Sequence, residues 1–392
     1  MHVAMVIGLL VLCAASVEGA NTGIDVEKHS FVICKQPGRY IGWPCIAKTP
    51  SGELLVVFSG DRDAHVCPHG KTQLVRSRDG GKTWSAPETI NDTPLDDRDA
   101  GIAALRDGTL LVRWFTLYVS PTGWNRHLDK KGRTRFERKV TSEDIDRWGP
   151  VTGDKRAGRR GHWLRRSSDN GKTWEPAIRV AGTSPKPPIE LADGRLLMIG
   201  NNCYDRVGKT SRVVVEESTD KGRTWRVIAT LGMFPDDQGA YMGEPHIVEA
   251  TPGHIVAMIR HERRPRNAKL HAGYLHQADS MDGGRTWTDW RKTEIWGKPP
   301  HLLKLRDGRL LVSYGHRRRP YGQRACINAD GGKTWDYAHE ILIRDDAPNG
   351  DLGYPASIQM DDDTILTIYY QIDKPGEKPC LMGTLWKLTK AK

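Results

Sequence analysis

Arginines, carboxylates, tyrosines and histidines gather in a few short segments of this chain. These are "RYIGWP" (39–44), "GDRDAHVCPHGK" (60–71), "DDRDAG" (96–101), "GNNCYDR" (200–206), "YMGEPH" (241–246), "RHERR" (260–264), "KPPH" (298–301), "YGHRRRPYGQR" (314–324) and "NGDLGYP" (349–355). Guanidinium forks bind carboxylates and other oxyanions through paired, charge-assisted hydrogen bonds. Carboxyls, imidazoles and phenols exchange protons with reacting oxygens. The collection therefore suits chemistry on a small acidic molecule or sugar. His65, His69, His246, His261, His301 and His316 follow no recognised zinc spacing, so no metal or other cofactor is expected.

Scattered segments of this kind need a repeating scaffold to bring them together. "SRDGGKTW" (77–84) returns as "SSDNGKTW" (167–174), "STDKGRTW" (218–225), "SMDGGRTW" (280–287) and "NADGGKTW" (328–335), where Asn328 stands for the first Ser. A second repeat is a tight turn entering an apolar strand, at Gly52, Gly108, Gly194, Gly253, Gly308 and Asp363. The steps between these turns are 56, 86, 59, 55 and 55 residues. Four of the turns are preceded, eight residues earlier, by Pro44, Pro245, Pro300 or Pro355.

Each unit reads as strand A, Gly turn, strand B, variable loop, strand C, Asp-containing turn and strand D. Four antiparallel strands repeated in this way describe a propeller blade. The expected fold is all-β, a six-bladed β-propeller with four-stranded antiparallel blades and an insertion in blade 2. "HSFVIC" (29–34) is expected to supply the outer strand of blade 6 and close the ring. The insertion, about 119–163, is rich in Lys and Arg; its "TSEDIDRW" (141–148) has helix-start chemistry. It is either a solvated excursion or a basic wall of the site.

Strand alternation gives the propeller two faces. The A–B and C–D turns share one; the A-strand starts, B-strand ends and B–C loops share the other. Six A-strand starts converge there around the axis, the natural place for a pocket. The nine chemical segments all belong to that second face.

The S-x-D-x-G-x-T-W strings resemble the Asp boxes of the sialidase superfamily, and the six-blade count agrees with it. The resemblance implies a neutral Tyr nucleophile, a Glu that helps remove its proton, an Asp acid/base and a clamp of arginines on the sugar carboxylate. A neutral nucleophile suits a substrate that carries its own anion. By this resemblance Tyr354 matches the nucleophile, Glu244 its partner and Asp63 the acid/base, with Asp61 an alternative. Arg260 matches the second clamp arginine, and Arg324 or Arg317 the third. Further substrate contacts are expected from Arg98, Asp99, Arg62, Trp43 and His301. The sequence departs from the family in blade 1: "IGWP" lacks the arginine of the family's Arg-Ile-Pro string. Arg98 is a neighbouring substitute, and Trp43 could stack on a sugar ring or fill the core.

The chain has 392 residues and a formal net charge of +11. Its basic residues are spread over loops without a nucleic-acid motif, so acidic glycans are the expected partners. Residues 1–20 read as a signal peptide, cut between Ser16 and Ala20, with the propeller over 21–392. A secreted or periplasmic protein without a stable membrane anchor is expected. Cys34, Cys45, Cys67, Cys203, Cys326 and Cys380 are widely spaced, which suits buried thiols with one or two disulfides at most. The function implied is an exo-glycosidase removing sialic acid or another acidic sugar. A different glycosidase, a polysaccharide lyase and a non-catalytic glycan-binding propeller remain open.

Overall fold

The computed structural model describes residues 27–93, 95–117, 141, 161–207, 210–232, 240–263 and 273–388. Blade 1 consists of β2 (Tyr40–Lys48), β3 (Leu54–Arg62), β4 (Lys71–Ser77) and β5 (Glu88–Asn91), after β1 (Lys28–Cys34). Blade 2 follows with β6 (Asp96–Ala104), β7 (Leu110–Leu117), β8 (Gly161–Ser167) and β9 (Ile178–Val180). Blade 3 has β10 (Ile189–Glu190), β11 (Leu196–Val207), β12 (Thr210–Ser218) and β13 (Arg226–Leu231). Blade 4 has β14 (Ala240–Thr251), β15 (His254–Arg263), β16 (Tyr274–Ser280) and β17 (Arg291–Trp296). Blade 5 has β18 (Pro300–Lys304), β19 (Leu310–His316), β20 (Gly322–Asn328) and β21 (Ile341–Arg344). Blade 6 has β22 (Gly353–Gln359), β23 (Ile365–Gln371) and β24 (Cys380–Trp386), and β1 completes it. All six sheets have four antiparallel strands.

The ring closes where the sequence places it. Residues Lys28–Val32 pair antiparallel with Trp386–Met382, so the two ends of the described chain share one blade. Central strands read as continuous apolar runs because blades stack on both their faces. Leu54–Phe58 of β3 are all fully buried, and one core cluster joins Val56 to Val112 of blade 2 and Ile368 of blade 6.

The Asp boxes are C–D turns with a fixed internal chemistry. In the first, Ser77 Oγ accepts the Gly81 N–H (2.8 Å) and Asp79 Oδ1 accepts the Thr83 N–H (2.9 Å). Trp84 turns under the loop, and its indole N–H donates to Gly81 O (3.1 Å). Gly81 has φ +91°, where a Cβ is disfavoured. The other four boxes repeat the first contact, with Asn328 Oδ1 replacing Ser Oγ in the fifth. Arginines tie the second to fifth boxes to the preceding blade: Arg76 donates to Asn170 O, Arg166 to Lys221 O, Arg195 to Gly283 O and Arg291 to Gly332 O. The boxes therefore fasten blade to blade on the face opposite the A-strand starts.

Residues 161–163 of the expected insertion belong to β8. The rest, with the helix expected over 141–148, lies outside the described residues apart from the exposed Thr141, and so does the signal peptide. Cys34, Cys45, Cys67, Cys326 and Cys380 are buried free thiols. No helix among the described residues is long and apolar enough to cross a membrane.

Candidate active site

Four strands begin at the axis with the same backbone irregularity. The register slips between Gly42 and Cys45, Arg98 and Gly101, Gly243 and His246, and Gly353 and Ala356. Trp43, Asp99, Glu244 and Tyr354 sit inside these slips with φ of 54°, 53°, 56° and 55°. A left-handed backbone under a bulky side chain costs ~1–3 kcal/mol and persists only where its surroundings hold it. The bulge re-aims each side chain out of its own sheet.

Two of these side chains meet across the ring. The Tyr354 hydroxyl donates to Glu244 Oε1. Arg260 Nη1 donates to Glu244 Oε2 at 2.7 Å, and its Nη2 to Glu262 Oε1 at 2.8 Å. Lys298 also bonds Glu262. Burial pushes the Tyr354 phenol well above its ordinary range, and the Glu244 charge adds to this. Burial would raise Glu244 too, but Arg260 and the Tyr354 hydroxyl outweigh it and hold the carboxyl below its usual range. The pair is thus a neutral phenol facing an ionised carboxylate, so a proton leaving Tyr354 has an acceptor already in contact.

Two more guanidiniums stand beside this pair. Arg317 lies 5.8 Å from the Tyr354 ring centroid; its Nε donates to Leu352 O (3.0 Å) and its Nη2 is buried without a hydrogen-bond partner among the described residues. Arg98 lies 4.7 Å over the Trp43 ring, and its buried Nε has no hydrogen-bond partner among the described residues. Asp99 Oδ1 is likewise buried and unpartnered. Burial raises Asp99 to about 6; Arg98 opposes the rise and Glu244 adds to it. Arg98 and Arg317 come from blades 2 and 5 and leave donor capacity for an anion; Arg260 comes from blade 4.

Residues 102–368 match the BNR repeat-like domain, and residues 75–86 match the BNR/Asp-box repeat. The chain belongs to the BNR repeat-like family. Its propeller is of the sialidase-superfamily type. Over 83% of its length it is 22% identical to a sialidase of Bacteroides fragilis (strain YCH46), of which it spans 59%. A Dyadobacter fermentans DSM 18053 protein of unknown function superposes with a TM-score of 0.73 at 27% identity, covering 92% of this chain and 98% of that one. The Ruminococcus gnavus intramolecular trans-sialidase shares the fold, with a TM-score of 0.62 at 15% identity over 91% of this chain and 96% of that one.

In this BNR propeller the expected site residues divide into two groups. Tyr354, Glu244, Arg260, Arg317, Arg98 and Asp99 lie together at the axis. Of the two blade 5 arginines, Arg317 is the one beside Tyr354. Arg324 sits within β20, where it pairs with Glu340 (3.4 Å) and donates to Arg344 O (3.2 Å). Trp43 offers no open face to a sugar: it is fully buried, with Arg62 at 5.0 Å and Arg98 at 4.7 Å from its ring. Arg62 is itself fully buried and paired with Asp96 at 2.7 Å, which commits it to joining blades 1 and 2. Asp63 has no exposed side-chain surface and bonds Arg39 at 2.5 Å. His301 is buried in the ring, stacked on His246 at 4.6 Å, with its Nδ1 facing the Ser357 N–H (3.3 Å).

The sequence reading missed several neighbours of the site. Tyr40 and Tyr370 both donate to Asp351 Oδ1 at 2.9 Å, and Tyr40 contacts His65 Nδ1 at 3.0 Å. Lys186 is buried at the centre, and its Nζ donates to Pro355 O at 2.6 Å. A signal for it was available: Lys186 stands eight residues before Gly194, the place that Pro355 holds before Asp363.

Proposed function

We propose that this chain is a sialidase-like exo-glycosidase that hydrolyses a terminal sialic acid or another acidic sugar from glycans. The observation that carries this reading is the Tyr354–Glu244 hydrogen bond with Arg260 on the second carboxylate oxygen. Tyr354 Oη attacks the anomeric carbon while its proton passes to Glu244. A neutral nucleophile avoids repulsion by the sugar's own anion. Arg98, Arg260 and Arg317 receive that anion, Arg98 in place of the guanidinium missing from the IGWP segment of β2. The kinship with the Bacteroides fragilis sialidase supports the reaction class. The apolar segment before the propeller supports export.

The test is a panel of acidic glycans and glycosides read by product mass. Hydrolysis adds the elements of water to the released sugar, whereas a lyase leaves an unsaturated product without them. Wild-type protein is expected to hydrolyse at least one acidic glycoside, and Tyr354→Phe to abolish that turnover while remaining folded. Binding without turnover across the panel sinks the reading.

A further inference from the structure

A glycosidic leaving group must be protonated, and the Tyr354–Glu244 pair is occupied at the anomeric carbon. Asp63 is poorly placed for that second task, since its side chain is enclosed and an oxygen is held by Arg39. The same loop brings a different group to the site. His65 has half of its side chain exposed, at 50%, and packs edge-on to Trp43 at 4.8 Å. Tyr354 is a second edge-on neighbour of that indole, at 6.3 Å. Trp43 thus contacts both an imidazole and a phenol of one site. The Arg62 guanidinium, itself fixed by Asp96, holds the His65 carbonyl at 3.1 Å.

The hydrogen bonds around His65 have one consistent polarity. The Asp351 carboxylate can only accept, so the Tyr40 hydroxyl donates to it (2.9 Å). The Tyr40 oxygen then accepts from His65 Nδ1–H at 3.0 Å. Nδ1 also lies 3.6 Å from Asp351 Oδ1. Nε2 makes no hydrogen bond among the described residues and is the nitrogen left to meet a substrate. A carboxylate that fixes an imidazole's tautomer and orientation is the arrangement by which histidine serves as acid and base. Among the described residues, the titratable groups that interact with this imidazole are Tyr40, Asp351 and Asp99.

We propose that His65, oriented by Tyr40 and Asp351, is the acid/base residue of the reaction, in the role that the family resemblance gave to Asp63. This rests on the hydrolase reading above. In the first half-reaction Tyr354 Oη bonds to the anomeric carbon and gives its proton to Glu244. The glycosidic C–O bond breaks, and the departing oxygen takes the Nε2 proton of the His65 imidazolium, leaving as an alcohol. In the second, water attacks the anomeric carbon and gives a proton to Nε2. The Tyr354–carbon bond breaks, and the phenolate recovers its proton from Glu244. Hydrolysis is the net result, and every group returns to its starting state.

The experiment compares two leaving groups on the same acidic sugar, the activated 4-methylumbelliferyl glycoside and the unactivated methyl glycoside. Loss of a general acid slows the second by ~10²–10⁴-fold and the first by only about tenfold or less. His65→Gln is expected to show that split, and azide is expected to restore its turnover of the activated glycoside by replacing water as nucleophile. Tyr40→Phe, which removes only the bridging hydroxyl, should show a smaller split in the same direction. Equal losses on both substrates in His65→Gln, or a split that appears in Asp63→Asn instead, overturn the assignment while leaving the hydrolase reading intact. Failure of wild type to hydrolyse any activated acidic glycoside overturns both.

Discussion

Lys186 gives the sharpest quantitative test of how the centre of this propeller is built. Its side chain is fully buried, and burial lowers it to about 8 from 10.5, with Cys45, Glu244 and Asp99 opposing. At about 1.36 kcal/mol per unit, that difference is ~3 kcal/mol of destabilisation at pH 7. Lys186→Met keeps the length and removes the charge. It also removes the hydrogen bond to Pro355 O, whose loss costs ~1–2 kcal/mol. The variant should therefore be more stable than wild type by ~1–2 kcal/mol at pH 7.

The sign of the pH dependence follows from proton counting. Between about pH 8 and 10.5 the unfolded wild type binds more protons at this site than the folded one, so wild-type stability from this group rises with pH. The advantage of Lys186→Met should shrink by ~1.4 kcal/mol per pH unit in that window and vanish near pH 9.5. Urea unfolding of both proteins at pH 7 and pH 9.5 measures it, since other alkaline titrations cancel in the difference. Turnover should fall although stability rises, because Pro355 follows Tyr354 directly and its carbonyl loses its anchor. A gap that is the same at both pH values, or a variant less stable at pH 7, would falsify the reasoning.

If Arg98 receives the substrate anion as proposed, Arg98→Gln should lower kcat/KM for an acidic glycoside roughly 10- to 150-fold, with most of the loss in KM; an unchanged KM would place the anion elsewhere. Gly81→Ala forces a Cβ into the left-handed region of the first Asp box, where the nearest atom beyond its neighbours is 3.6 Å away, so strain acts without a clash. Stability should fall by ~1–2 kcal/mol with KM unaltered, because the box lies on the face opposite the site; a changed KM would contradict that placement.

The fold was legible because each blade solves the same local problem with the same residues. Ser (Asn328 in the fifth), Asp, Gly, Thr and Trp build the five Asp-box turns, and a Gly or Asp turn reverses a buried strand in all six blades. Part of the site was legible through proline: Trp43, Glu244 and Tyr354 each precede one at an A-strand start. Asp99 shares their backbone conformation but precedes Ala100, so that cue was absent. What stayed hidden depends on contacts between blades. Trp43 looks like a sugar platform until Arg62 and Arg98 from two strands are found over its ring. Arg317 and Arg324 are seven positions apart, and only the end of β19 at His316 separates the one beside Tyr354 from the one paired with Glu340. His65 gains its meaning from Tyr40 and Asp351, which no spacing in the chain connects.

The central claim is that a neutral phenol, Tyr354, carries the sugar during turnover. Its direct measurement is peptide mapping by mass spectrometry after rapid quench with a fluorinated acidic-sugar fluoride, which slows release of the glycosyl enzyme. The account predicts one sugar mass added to the peptide containing Tyr354, absent in Tyr354→Phe. An adduct on another residue, or steady hydrolysis by Tyr354→Phe, would contradict it.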